Sequence, residues 1–279
     1  MMSKLIAALL VSLSLLACGG GGSEPVLPHQ QLVGEVFDVA SEWPTAELKS
    51  TFVYTGKLAT SRAALAAGKQ NILDLLFMSS PDAEQTLVQY TKDNSDLLVP
   101  GVRVLIDDEV FWDTADPNDS IEALQAQLDA LSRSATMVRR YIPQASIGVT
   151  ITPYATFARP NTLEYIKKLI PLIDWVATDP YWLGDKANIQ ALHDWSRTFN
   201  ALAKTANPNM ETWFIAQAFK MPSWDLNTFN GFIAEELTYA AGYDGVLFFG
   251  WQFVSEIDMA AAGMNFTPET KLLYKKYLK

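Results

Sequence analysis

Three carboxylates stand side by side at Asp107, Asp108 and Glu109, directly after the apolar run Val102-Arg103-Val104-Leu105-Ile106. A fourth, Asp179, follows Asp174-Trp175-Val176-Ala177-Thr178 and opens the segment Asp179-Pro180-Tyr181-Trp182. Crowded carboxylates cannot all ionise freely, so at least one keeps its proton towards neutral pH. That is what general acid catalysis needs: one carboxyl to protonate a leaving oxygen, another to steady a cationic centre or align a nucleophile. Along an extended strand side chains alternate, which places Asp107 and Glu109 on one face and Asp108 on the other. Glu109 is therefore the candidate acid, with Asp107 or Asp179 as the second carboxylate.

Aromatic and amide side chains gather at comparable places: Trp112, Tyr154, Tyr181, Trp182 and Trp251, together with Gln217. Flat C–H faces of a sugar ring lie well on Trp or Tyr, and hydroxyls pair with amides and carboxylates such as Asp108. These residues are the expected binding groups. Each aromatic by itself serves packing as readily as binding; their shared placement carries the reading. Other chemistries lack their groups. The chain has two histidines, His29 and His193, neither of them at an apolar run's end, so a metal centre is not expected. No lysine sits inside a strand-like run, which disfavours Schiff-base chemistry, and no nucleophile elbow is present. No cofactor is expected.

The elements that must position these residues alternate between strand-length apolar runs and helical stripes. Eight runs read as strands: Val33–Ala40, Thr51–Gly56, Asn71–Ser79, Val102–Trp112, Ala145–Tyr154, Asp174–Trp182, Glu211–Phe219 and Gly245–Phe253. The clearest helix carries Ile121, Leu124, Leu128, Leu131, Ala135, Val138 and Ile142 at spacings of three and four, with Asp119 as its cap and Glu122 three residues on. Similar stripes run through Leu163–Ile173, Ile189–Leu202 and Phe229–Ala240, and a last helix opens with Thr267-Pro268. Eight such units in about 250 residues is the size of an α/β protein of the (β/α)8 barrel type, folded as a single domain over residues 27–279. About ten residues separate the first strand from the second, too few for a full helix, so this pair is the weakest part of the count. The competing architecture is an open doubly wound sheet, but no strand is followed by a glycine-rich phosphate loop.

The N-terminus has a different composition. Lys4 precedes the apolar run Leu5–Val11, which is shorter than the ~20 residues of a membrane-spanning helix and closes on Leu15-Leu16-Ala17-Cys18. Residues 1–17 read as a cleaved signal peptide. Residues 18–26 read as a glycine-rich tether, since Gly19–Gly22 bury nothing. Cys18 is the single cysteine, so no disulfide can form within the chain and the core must hold the fold. With 31 acidic against 21 basic residues the net charge is −10, which argues against nucleic acid or an anionic lipid surface as a partner.

Two resemblances follow. Leu15-Leu16-Ala17-Cys18 resembles a bacterial lipobox, which implies lipid attachment at Cys18. Gly19 stands where familiar enterobacterial lipoproteins carry an aspartate for inner-membrane retention, so the resemblance implies the outer membrane, on its periplasmic or surface face. The mature chain, with its acidic cluster, Asp179-Pro180-Tyr181-Trp182, Gln217 and Gly250-Trp251, resembles TIM-barrel glycoside hydrolases. Asp107-x-Glu109 is similar to the end of the chitinase-type family 18 signature, although Val102 and Leu105 replace its earlier aspartates. The clan with Asn-Glu on strand four and a nucleophilic Glu on strand seven is matched at Glu109, with Asp108 for its asparagine and Gln217 for its nucleophile. The resemblance implies hydrolysis of a polysaccharide or oligosaccharide by a lipid-anchored monomer. A glycan-binding barrel without catalysis is the alternative, and a structural lipoprotein a third.

Overall fold

The computed structural model describes residues 32–37, 52–111, 120–152, 159–181, 189–220, 224–249, 260–262 and 267–275. Contacts make 31–279 one compact unit. Cys18 and its tether, Trp112, Tyr154, Trp182 and Trp251 lie outside the described residues.

Eight strands close into a barrel: β1 (Leu32–Phe37), β2 (Phe52–Thr55), β3 (Gln70–Asp74), β4 (Arg103–Asp107), β5 (Ser146–Ile151), β6 (Trp175–Thr178), β7 (Glu211–Gln217) and β9 (Gly245–Phe249). Every neighbouring pair is parallel, and β9 returns to β1 through Leu32↔Gly245 to Val36↔Phe249. That closure excludes the open sheet. All eight expected strands are present, including the closely spaced first pair, joined by Gly34↔Phe52 to Phe37↔Thr55. A short β8 (Phe219–Lys220) pairs antiparallel with β10 (Ala260–Ala262).

The helices are α1 (Leu58–Ala66), α2 (Ala83–Asp93), α3 (Ile121–Tyr141), α4 (Pro160–Leu169), α5 (Ile189–Ala206), α6 (Leu226–Ala240) and α7 (Pro268–Lys275). The cap of α3 is Ser120, whose hydroxyl accepts from Ala123 N at 3.3 Å and donates to Glu122. Serine's short hydroxyl serves the first-turn N–H here in place of the expected aspartate one residue earlier. Thr267 caps α7 as expected, accepting from Thr270 N.

Strand alternation sorts the apolar residues into layers. Outward-facing Val104, Ile106, Ile147, Val149 and Val176 join Leu124, Leu128, Leu131 and Ile166 of the helices in one cluster. Phe214, Ala216, Val246 and Phe248 join Phe229, Phe232, Ile233 and Leu237 of α6 in another. The interior is filled by Phe52, Ile72, Leu105, Trp175, Ala177, Trp213, Ile215 and Leu247. At the barrel's N-terminal end Arg103 makes a two-pronged ion pair with Glu211, Nε–Oε1 2.6 Å and Nη2–Oε2 2.5 Å. Its guanidinium lies 4.4 Å from the Phe52 ring centre and 5.6 Å from that of Trp213.

Two glycines make room for the two indoles. A Cβ built on Gly148 of β5 would stand 2.0 Å from the Trp175 ring, and one on Gly245 of β9 would stand 2.4 Å from Trp213. Gly148→Ala is expected to destabilise the domain by about 1–3 kcal/mol through overpacking against Trp175. Chemical denaturation checks this; an unchanged midpoint would show that the indole moves aside at no cost.

Candidate active site

The acidic cluster sits at the C-terminal end of β4, where functional groups of such barrels gather. Its backbone does not continue the strand. The β4–β5 register pairs Leu105 with Gly148 but Asp107 with Val149, so one extra residue is accommodated at Ile106. Such a bulge re-aims the side chains that follow it. Glu109 and Phe111 then adopt positive φ values of 49° and 64°. Non-glycine residues in this left-handed region cost on the order of 1 kcal/mol or more each and persist where their surroundings over-determine them.

Here the surroundings do so through three successive N–H groups. Glu109 N donates to Thr150 Oγ1 at 2.6 Å, Val110 N to Thr150 O at 3.0 Å, and Phe111 N to Gln127 Oε1 at 3.1 Å. The Phe111 ring is fully buried and meets Tyr165 of α4 edge-on at 6.4 Å.

The bulge overturns the alternation expected from sequence. Asp107 accepts from Gln127 Nε2 of α3 at 3.3 Å and from Asp108 N at 3.0 Å, tying it to the helix layer. Asp108 accepts from the Thr150 hydroxyl on β5, whose inward neighbour in the strand is Gly148 beneath Trp175. Asp108 thus groups with Glu109 at the barrel mouth. The inserted residue exchanges the faces of Asp107 and Asp108, and the left-handed turn at Glu109 then ends the alternation, which is why strict period two grouped Asp107 rather than Asp108 with Glu109.

Asp179 joins this group from the end of β6. It is 5% exposed, and its Oδ1 has no hydrogen-bond partner among the described residues. Burial pushes its carboxyl well above the usual carboxylate range, reinforced by the charges of Glu109 and Asp108 and by hydrogen bonding to Glu109. Tyr181, two residues on, has its phenol pushed well up by burial and by the charges of Asp179, Asp108, Glu109 and Glu236. Its ring stacks on Phe249 at 5.4 Å and 24° and meets Phe219 edge-on at 5.4 Å.

Gln217 ends β7, fully buried; its Nε2 donates to Phe219 O at 3.0 Å and its backbone N–H to Glu236 Oε1 of α6 at 3.1 Å. The structure therefore brings together Asp108, Glu109, Asp179 and Tyr181, with Gln217 on the next strand.

Thr150, Gln127 and Glu236 support this arrangement without having been singled out in the sequence. Glu236 had a signal: it falls on the apolar stripe of α6 between Ile233 and Leu237, where a charge is out of place. His193 lies on α5, stacked on Tyr239 of α6 at 4.3 Å. Among the described residues, no group of histidine, cysteine or carboxylate side chains is arranged to hold a metal.

No protein-family model matches the chain, and no curated protein does. Solved structures do match. Xylanase 10B from Thermotoga petrophila RKU-1, in complex with xylobiose, superimposes with a TM-score of 0.58 at 10% identity over 89% of this chain and 94% of that one. An endo-1,4-β-D-mannanase from the same organism gives 0.58 at 12% identity over 88% and 99%. The GH53 catalytic domain of Ignisphaera aggregans gives 0.52 at 14% over 80% and 84%. The chain has the (β/α)8 barrel fold.

The buried acid makes stability depend on pH in a definite direction. A carboxyl whose pKa is raised by folding keeps a proton that the unfolded chain releases, so stability falls as pH rises above the unfolded value. Asp179→Asn removes that penalty. Its melting temperature is expected to match wild type near about pH 4 and to exceed it increasingly towards about pH 7. A constant offset across the range would show that Asp179 ionises normally.

Proposed function

We propose that this barrel hydrolyses glycosidic bonds of a polysaccharide or oligosaccharide. The observation that carries the reading is the Glu109–Asp179 carboxyl pair at the strand ends, one member buried and unpaired at Oδ1, with Asp108 beside it. Two carboxyl groups in hydrogen-bonding contact share a proton and titrate as a unit. The pair therefore acts as one acid, and Asp108 supplies the second carboxylate.

In this mechanism Glu109, the exposed member, protonates the leaving oxygen, while Asp179 behind it holds the shared proton. Asp108, oriented by the Thr150 hydroxyl, is the carboxylate that stabilises the positive charge developing at the sugar carbon. Tyr181 binds a hydroxyl, and Gln217, expected from sequence to do the same, is instead fully buried and bonded to Phe219 O, where it supports the rim. Trp112, Tyr154, Trp182 and Trp251, each beside a strand end in the sequence, provide ring-stacking surfaces. The xylanase and the mannanase, with the same fold, support a carbohydrate as the substrate class.

The assignment of the second carboxylate to Asp108 differs from the sequence expectation of Asp107 or Asp179: the contacts of Asp107 with Gln127 and with the Asp108 amide make it a support for the turn, and Asp179 acts together with Glu109. A glycan-binding barrel is the second reading, favoured by Gln217 standing where strand seven could have carried a carboxylate. We further propose that the domain is tethered through a lipid on Cys18 to the cell envelope, at the outer membrane, as a monomer. No helix among the described residues is long and apolar enough to cross a membrane.

Reducing-end release from a glycan panel is expected for the wild type. Glu109→Gln should lower it on the order of 10²–10⁴-fold, as loss of a general acid does, with little change in melting temperature. Equal release by both proteins would remove Glu109 from the mechanism, and binding without release by the wild type would establish the glycan-binding reading. Separately, Cys18→Ser should move the full chain from the membrane to the soluble fraction; retention of the variant in the membrane would rule out the lipid anchor.

A further inference from the structure

Strand β7 outlasts its neighbour. The last β6–β7 pair is Thr178↔Phe214, whereas β7 continues to Gln217 beside Phe249 of β9. Alternate N–H groups of β7 point to opposite sides: Glu211 N donates to Asp174 O on the β6 side, and Ala218 N to Phe249 O on the β9 side. Gln217, six residues after Glu211, therefore directs its N–H towards β6 after that strand has ended. Glu236 of α6 reaches this position and accepts the N–H with Oε1 at 3.1 Å.

We infer that Glu236 is a positioning residue, which replaces the missing β6 acceptor and thereby fixes the tip of β7, with the Gln217 side chain, at the candidate active site.

Two other carboxylates serve strand N–H groups in this fold, and the contrast with them is informative. Asp174 accepts from Ile147 N, and Asp244 from Thr212 N, at the opposite end of the barrel. Both are about two-fifths exposed and paired with a cation, Asp174 with Arg139 and Asp244 with Lys204. Glu236 is fully buried, its Oε2 has no hydrogen-bond partner among the described residues, and its neighbour Glu235 takes the half-exposed position. Burial raises the Glu236 carboxyl well above the usual range, so it works as a neutral acceptor. A neutral acceptor is what an amide can imitate. Tyr181, which follows β6 on the other side of the gap, has the Glu236 carboxyl among its electrostatic neighbours, so the device adjoins the acidic cluster.

The inference rests on the hydrolase reading for its catalytic consequence and on Gln217's backbone for its structural one, and the test separates them. Hydrogen exchange at the Gln217 amide and the steady-state constants for glycan hydrolysis are measured for the wild type, Glu236→Gln and Glu236→Met. Glu236→Gln should keep the amide protected and kcat within about threefold of wild type, while Glu236→Met should release the amide and lower kcat by an order of magnitude or more at nearly constant KM. An amide as protected in Glu236→Met as in wild type overturns the inference. So does a Glu236→Gln variant that loses kcat, a result that stands even if Glu236→Met fails to fold. Absence of hydrolysis by the wild type would instead overturn the hydrolase reading, and the exchange comparison would still decide the role of Glu236.

Discussion

A closed parallel barrel has no edge at which to leave an unpaired strand and no open interior, so everything inside it must be packed or paired. Here that constraint is met by two indoles lying over glycines, Trp175 over Gly148 and Trp213 over Gly245. A ring this large needs the volume that a neighbouring side chain would otherwise occupy. Below them the Arg103–Glu211 pair satisfies its own charges, with Trp213 Nε1 donating to Glu211 and the guanidinium stacked over Phe52. With the middle apolar and the lower end sealed, polar side chains inside the barrel have one region left, the rim where the strands end.

The rim is built at the expense of stability. A bulge in β4, two left-handed residues at Glu109 and Phe111, and a buried carboxyl at Asp179 are each unfavourable taken alone. They persist because Thr150 and Gln127 bond three consecutive N–H groups of the turn and because Phe111 is locked under α4. Thr150 has a double part, accepting from Glu109 N while donating to Asp108. One hydroxyl thereby sets both the strained backbone and the orientation of a carboxylate. Packing elsewhere in the barrel supplies the surplus that such a site consumes.

Much of the fold was legible because a strand buried on both faces must be apolar at nearly every position, as Val246-Leu247-Phe248-Phe249 and Trp175-Val176-Ala177 are. The acidic cluster was legible for the same reason: three carboxylates end such a run abruptly. What alternation could not reveal was the inserted residue at Ile106, since an isoleucine in a bulge is chemically no different from one in a regular strand. The faces of Asp107 and Asp108 were exchanged as a result. Thr150 looked like any β-branched strand residue, and its role exists in the contact with β4. Glu236 was hidden differently. Two adjacent glutamates on a helix read as a solvated surface, and only the phase of the stripe through Phe229, Ile233, Leu237 and Ala240 distinguishes the buried member from the exposed one.

The placement of charge around the rim gives the mouth a direction. Asp108 and Glu109 follow β4 and Asp179 follows β6, so the acidic groups come from two strand ends, with the Thr150 hydroxyl of β5 between them. Onward from β6 the character changes: Tyr181, Phe219 and Phe249 pack their rings together, with the buried amide of Gln217 between the two arcs. A carboxylate at Gln217 would have added a further negative charge facing the Asp179 side of a site that already holds one carboxyl protonated by crowding and burial. Like charges brought that close in a low-dielectric setting force further protonation rather than yielding another ionised group. An amide keeps the hydrogen-bonding capacity without adding that charge. The amide at the end of strand seven is then a consistent part of the electrostatics, because the acidic arc beside it already holds a carboxyl raised by burial and crowding.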